Sequence, residues 1–284
     1  MQKKTNDKMR KVTAYLYLII TLLSFSSIEV ISKPLMGKVD PFFLTAFRFL
    51  LGGLFLAFFV RETVEIRDFI NIFLIGLLNS VISMTSLQLS VKYSNASTAA
   101  TLVASNPIFV SLFAWLILKE RYNIKKYIGI VLGFFGLMIF SIGKMESDSW
   151  LGIFFGIFAA LTFGLYTVLM RKYTKKYDAL RVTAYSSLTS GLIYLGLISL
   201  AGGLKVPNLY ISDWLIVIFL GIVVTGIAYL TFFRAMEVIG TAQASRIFFL
   251  KPVVATLLAL LLLGEGISVI KIIGVAIILV SLSL

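Results

Sequence analysis

The chain contains no cysteine and no histidine. That excludes a disulfide framework, thiol catalysis, haem ligation, and zinc sites or catalytic triads built on histidine. With no thiol to oxidise, cysteine usage says nothing about redox compartment. Charge is scarce as well: 14% of the 284 residues are Asp, Glu, Lys or Arg, and only 13 of them are acidic. No glycine loop of the phosphate-binding kind is present, and no nucleophile stands beside a base. A membrane enzyme would have to work through carboxylates, tyrosines and serines, and their spacing gives it no support. No cofactor or metal site is expected. No linker is long enough to separate soluble domains, and no low-complexity stretch interrupts the chain.

What fills the chain is apolar. Hydrophobic residues make up 59% of it, where soluble domains hold about 45–50%. Ten uncharged or nearly uncharged runs of span length recur, near 12–32, 41–60, 68–89, 96–118, 124–142, 150–170, 180–201, 212–233, 241–263 and 267–284. The fold class expected is therefore an all-α polytopic membrane protein of ten transmembrane helices. Connections are short, so consecutive helices are antiparallel neighbours. The net charge of +13 raises the idea of a nucleic-acid partner, but the basic residues collect in short loops beside the spans. Their expected partner is the bilayer, with no nucleic acid. The opening segment, 1–11, precedes a run of full span length with no small-residue cleavage site, so that run is expected to stay as the first helix.

The chain repeats itself. Shifting by 145 residues places Pro107 on Pro252, Glu120 on Glu265, Lys126 on Lys271, Gly129 on Gly274 and Gly76 on Gly221. Shifting by 138 places Phe25 on Phe163, Asp40 on Asp178, Thr45 on Thr183, Ala46 on Ala184 and Gly53 on Gly191. Two units follow, 12–142 and 150–284. Each holds five spans, an odd number, so the second is expected to insert upside down relative to the first. With the amino terminus placed in the cytoplasm, 17 of the 26 Lys and Arg fall inside and 6 outside. The remaining 3, Arg48, Arg246 and Lys251, lie within spans. This asymmetry predicts a multi-pass protein of the cytoplasmic membrane with both termini in the cytoplasm.

Candidate functional residues are the polar groups that the spans carry at a cost. Lys251 precedes Pro252 about ten residues, or roughly 15 Å, from either end of its span, too deep for easy snorkelling. Pro252 removes a helix donor and frees carbonyls at the same depth. Lys251 either pairs with a carboxylate or binds substrate, and substrate binding is the expectation carried forward. Gln243 and Arg246 lie on its face. The equivalent span of the first unit carries Ser105, Asn106 and Pro107, so both faces are expected to line one central cavity. Asn79 and Tyr166, mid-span, are added to that lining. Glu29 and Arg48 fall at similar depth on adjacent spans and are expected to pair. Two alternatives for Glu29 stay open: an ion pair with Lys33 one turn on, and a role as proton carrier.

These features resemble the EamA-type family of the drug/metabolite transporter superfamily. The likeness is carried by Phe25, by Arg48-Phe49-Leu50-Leu51, and by two copies of one helix pair, NPIFVSLFAWLILKERYNIKKYIG and KPVVATLLALLLLGEGISVIKIIG. It covers nearly the whole chain. The resemblance implies ten helices, cytoplasmic termini, a central cavity between the halves and alternating access. It also implies movement of amino acids and other small metabolites, often outward. Many relatives carry an acidic residue before the second Pro, where this chain has Lys251. The function expected is secondary active export of small polar metabolites such as amino acids, driven by a gradient, with protons as the candidate coupling ion. A drug or cation exporter is the rival within transport, and a membrane scaffold or enzyme the rival outside it. Monomer and homodimer both stay open.

Overall fold

The computed structural model describes residues 2–94, 96–140, 149–203, 206–254, 257–258 and 269–284. Most of the carboxy-terminal half of the expected ninth span lies outside the described residues, as do Glu265, the connection 141–148 with Lys144, and Lys205. The regular structure described is helical. It comprises α1 Met9–Leu35, α2 Pro41–Ala57, α3 Ile66–Tyr93, α4 Thr98–Leu118, α5 Ile124–Phe140, α6 Trp150–Lys176, α7 Ala179–Leu200 and α8 Ile211–Ile239. Helix α9 opens with Thr241–Ser245, and α10 covers Val269–Ser283. Among the described residues six helices, α1, α3, α4, α6, α7 and α8, are long and apolar enough to cross a membrane.

Apolar side chains cover the exterior as well as filling much of the interior, and many hydroxyls and amides are buried among them. Leu23, Trp115, Phe135, Phe154 and Ile193 face outward and exposed, while Thr21, Thr45, Asn79, Ser83, Gln88, Thr183 and Ser187 are buried. Lipid is as apolar as leucine, so burying leucine gains little between membrane helices, and small residues and hydrogen bonds take over the packing. Many of the buried hydroxyls satisfy themselves one turn back. Thr21 Oγ1 donates to the Tyr17 carbonyl at 2.8 Å, and Ser111 Oγ to the Pro107 carbonyl at 2.7 Å.

Helices α2 and α7 make the closest contact. A Cβ on Gly53 would lie 2.2 Å from the Leu188 nitrogen, and one on Gly191 would lie 2.4 Å from the Leu50 nitrogen. Only residues without a side chain permit backbones to meet this way. Both helices are started by an aspartate: Asp40 accepts from the Phe42 and Phe43 amides, and Asp178 from the Arg181 amide at 3.0 Å. At the ends of the bundle, loop charges pair with one another. Lys38 binds Asp213 at one end. At the other, Lys176 binds Glu65 and Asp68, and Arg181 binds Glu62 and Asp178.

Interruptions break several of the helices, and the first is a turn at Ser27 that divides α1. The turn at Ser105 divides α4 ahead of Asn106-Pro107, because Pro107 cannot continue the preceding ladder. Helix α9 tightens to a 3₁₀ turn over Arg246–Leu250, directly before Lys251-Pro252. Helices α3 and α8 each widen into a π segment, Leu78–Met84 and Leu220–Ile227. A threonine hydroxyl reaches back five residues in each: Thr85 to the Ser80 carbonyl at 3.1 Å, Thr225 to the Leu220 carbonyl at 2.9 Å. Such widened turns occur mostly at functional sites.

Candidate functional site

Lys251 and Glu29 form an ion pair in the interior. The Lys251 ammonium donates to Glu29 Oε1. Their side chains are 2% and 0% exposed. Glu29 follows the break in α1 at Ser27, and Lys251 follows the 3₁₀ turn of α9. A cavity beside the pair is lined by Phe25, Ile28, Met84, Val103, Asn106 and Lys251, among others. It has room for roughly one water molecule. Both amide atoms of Asn106 are buried with no hydrogen-bond partner among the described residues. The amide and the ammonium therefore belong to residues that line the same cavity.

An aromatic cluster closes the floor. Phe25 packs edge-on to Tyr229 at 5.0 Å and lies 5.6 Å from Phe248, and Phe163 lies 5.9 Å from Phe248. Below it Tyr166 packs at 6.0 Å from Tyr229 and 5.8 Å from Phe233. Tyr229 accepts from the Asn79 amide at 3.1 Å, across from α3 to α8. The π segment Leu78–Met84 supplies Asn79, and the helix beyond the second π segment supplies Tyr229.

The expected pair of Glu29 and Arg48 is corrected by this geometry, since Glu29 is bonded to Lys251 instead. Arg48 is completely buried, and none of its three guanidinium nitrogens has a hydrogen-bond partner among the described residues. It lies 5.5 Å from the Phe49 ring, with Tyr229 and Glu29 within reach of its field. The alternative partner of Glu29, Lys33, donates to the Val91 and Ser94 carbonyls at 2.7 and 2.8 Å, tying α1 to the end of α3.

Of the remaining expected residues, Asn79, Tyr166 and Asn106 border the cluster or its cavity, and Pro107 and Pro252 sit at the two helix breaks. Three point elsewhere. Arg246 donates to the Ser281 carbonyl and packs on Gly129, turned toward α5 and α10. Ser105 bonds back to the Leu102 carbonyl at 2.6 Å. Gln243 lines a separate surface pocket with Glu120, Arg121, Tyr122 and Lys126. In that pocket Glu120 accepts from Thr241 at 2.9 Å and from Tyr122 at 2.8 Å, joining the α4–α5 loop to the start of α9. Burial and then the Glu120 hydrogen bond push the Tyr122 phenol above its ordinary range. Sequence reasoning missed the aromatic floor as a site. The available signal was helical spacing: Phe25 stands four residues before Glu29, and Phe248 three before Lys251.

An apolar exterior, buried hydroxyls and amides within an apolar core, and a buried ion pair between broken helices define a multi-pass α-helical membrane protein with an internal site. Comparison with known proteins makes the class specific. The profile of the EamA-like transporter family matches residues 12–142 and again 150–284. The chain belongs to the EamA-like transporter family. It is 30% identical over 281 residues to an uncharacterized transporter of Clostridium kluyveri, covering 94% of this chain and 90% of that one. It is 27% identical to the uncharacterized transporter YdfC of Bacillus subtilis, over 82% of this chain and 78% of the relative. A chloroplastic WAT1-related protein of Arabidopsis thaliana is 25% identical, over 94% of this chain and 68% of that protein. A crystal structure at 20% identity shares the fold, with a TM-score of 0.76 and 96% of each chain covered.

Proposed function

We propose that the protein is a secondary transporter of small carboxylate-bearing metabolites, amino acids among them, in the cytoplasmic membrane. It exports them by alternating access around the Glu29–Lys251 site. The observation that carries this reading is the ion pair itself. Two ionised groups deep in the membrane interior cost more than a structural role requires, and Lys251 lines a cavity together with the unpartnered amide of Asn106. A substrate carboxylate there replaces Glu29 on Lys251, and Asn106 is placed to donate to it. The gradient follows from the absence of a nucleotide-binding loop, and Glu29 is the group available to carry a proton.

Ten helices in two inverted five-helix units are part of this proposal. Paired contacts support a two-fold relation. The contact of Gly53 with Leu188 has its counterpart in that of Gly191 with Leu50, 138 residues apart in each member. Between α5 and α10, Gly129 meets Ser281 and Gly136 meets Gly274, 145 residues apart in the same sense. An inverted pair of units around a midplane site is the architecture of alternating access.

The aromatic floor favours a second reading, a cation or drug exporter, since Phe25, Phe163, Tyr229 and Phe248 offer ring faces to an apolar cation. The test uses purified protein in liposomes with an imposed proton gradient. Radiolabelled amino acids and monocarboxylates are compared with the matching amines and with tetraphenylphosphonium. Carboxylate transport that Lys251→Ala abolishes supports the proposal. Transport of the amines or of the phosphonium, with no carboxylate moved, overturns it in favour of the second reading.

A further inference from the structure

We propose that Glu29 is handed between two cations: Lys251, which holds it here, and Arg48, which takes it when a substrate carboxylate occupies Lys251. This rests on the transport reading above and narrows the substrate to molecules that present one carboxylate to the site. The inference begins with a mismatch of hydrogen bonds. Glu29 uses Oε1 on Lys251, while its buried Oε2 has no partner among the described residues. Arg48 buries Nε, Nη1 and Nη2, also with no partner among them. Both groups flank one aromatic cluster: Arg48 lies 5.5 Å from the Phe49 ring, Phe49 packs 6.0 Å from Tyr229, and Phe25, one turn before Glu29, packs 5.0 Å from the same Tyr229. Leaving such groups unpaired in a low-dielectric interior is costly.

Charge counting gives the same answer. The interior around the cavity holds Arg48 and Lys251 against Glu29, two cations against one carboxylate. The other buried arginines bond elsewhere: Arg246 donates to the Ser281 carbonyl and Arg171 to the Glu237 carbonyl. One positive charge is therefore uncompensated. An entering carboxylate supplies the missing charge. It meets Lys251 and Asn106, because these line the cavity and Arg48 does not. Glu29, displaced, then pairs with the guanidinium, whose planar fork matches both carboxylate oxygens. Every charge is then paired, and no bond is made or broken. Arg48 acts as a positioning residue: it never touches the substrate, but it sets where Glu29 rests.

A double-mutant cycle in two backgrounds tests the hand-over without any substrate. Thermal unfolding of the purified full-length protein is measured for Arg48→Gln, Glu29→Gln and the double variant, first with Lys251 present and then with Lys251→Met. With Lys251 present, the shifts in midpoint should be close to additive. With Lys251→Met, they should be strongly non-additive, because Arg48 then holds Glu29. Arg48→Lys should restore part of that coupling, as a point cation does for a carboxylate. Additivity in both backgrounds overturns the proposal, since Arg48 then never receives Glu29. Equal coupling in both also overturns it, because the three groups would form one static cluster. Should Lys251→Met fail to purify, Lys251→Gln serves with the same outcomes. Loss of carboxylate transport as a function would sink the transport reading while leaving this cycle intact, so the two failures are separable.

Discussion

The interior of this protein turns on three charged side chains, and the cost of removing each is unequal. Breaking a buried pair by deleting one partner typically costs about 3–5 kcal/mol, because the other charge is left uncompensated. Glu29→Gln strands Lys251 with no second carboxylate to take it, and should cost that full amount. Lys251→Met strands one carboxylate that Arg48 can take, and should cost half as much or less. Thermal or denaturant unfolding in detergent checks the order; a larger loss for Lys251→Met would contradict it. Both substitutions should abolish carboxylate transport. The depth of Lys251 and the break at Pro252 were legible in the sequence, because a charge and a proline inside an apolar run stand out. The identity of its partner was not. Glu29 lies 222 residues away, and the sequence offered it Arg48 by depth and Lys33 by one-turn spacing instead. Only the packing of α1 against α9 decides among them, and periodicity does not encode that.

Among the elements, the α2–α7 contact carries the sharpest requirement. Gly53→Ala would drive a methyl to 2.2 Å from the Leu188 nitrogen, so the two helices must separate. Overpacking of this kind costs about 1–3 kcal/mol. Gly196→Ala, on the same helix α7, meets nothing within 4 Å and should leave the unfolding midpoint unchanged or slightly raised. Equal effects from the two changes would mean that the contact does not govern packing. Gly53 and Gly191 were visible beforehand as repeat partners, since one shift of 138 superposes them. The π segments of α3 and α8 were not. A single extra residue within a helical turn leaves the apolar pattern almost unchanged, and of the polar residues there only Asn79 had been singled out. The turn of Arg246 toward α5 and α10 was equally hidden: it shares a helical face with Lys251, but the 3₁₀ turn Arg246–Leu250 winds tighter than an α-helix and rotates it away.

For the whole molecule, the proposed orientation can be tested cleanly, because the chain brings no cysteine of its own. A cysteine at Tyr210, on the exposed approach to α8, should react with an impermeant thiol reagent in intact cells. One at Ile66 or Ile124, both exposed, should react only after the cells are opened. The opposite pattern would place both termini outside. The membrane class was legible from composition alone, since few soluble chains could hide so much apolar surface. That surface is not hidden: Leu23, Phe135 and Phe154 look outward, and the bundle keeps its hydroxyls and amides for itself. The thermodynamics of unfolding follow from this. A water-soluble chain of 284 residues would gain about 4 kcal/mol/K in heat capacity on unfolding, as its apolar groups met water. Here the helices can part while their flanks remain in lipid or detergent, and hydration changes little. Calorimetry should return a heat-capacity increment far below the soluble figure. Stability should then fall almost linearly with temperature, without the dome that makes soluble proteins weaken in the cold.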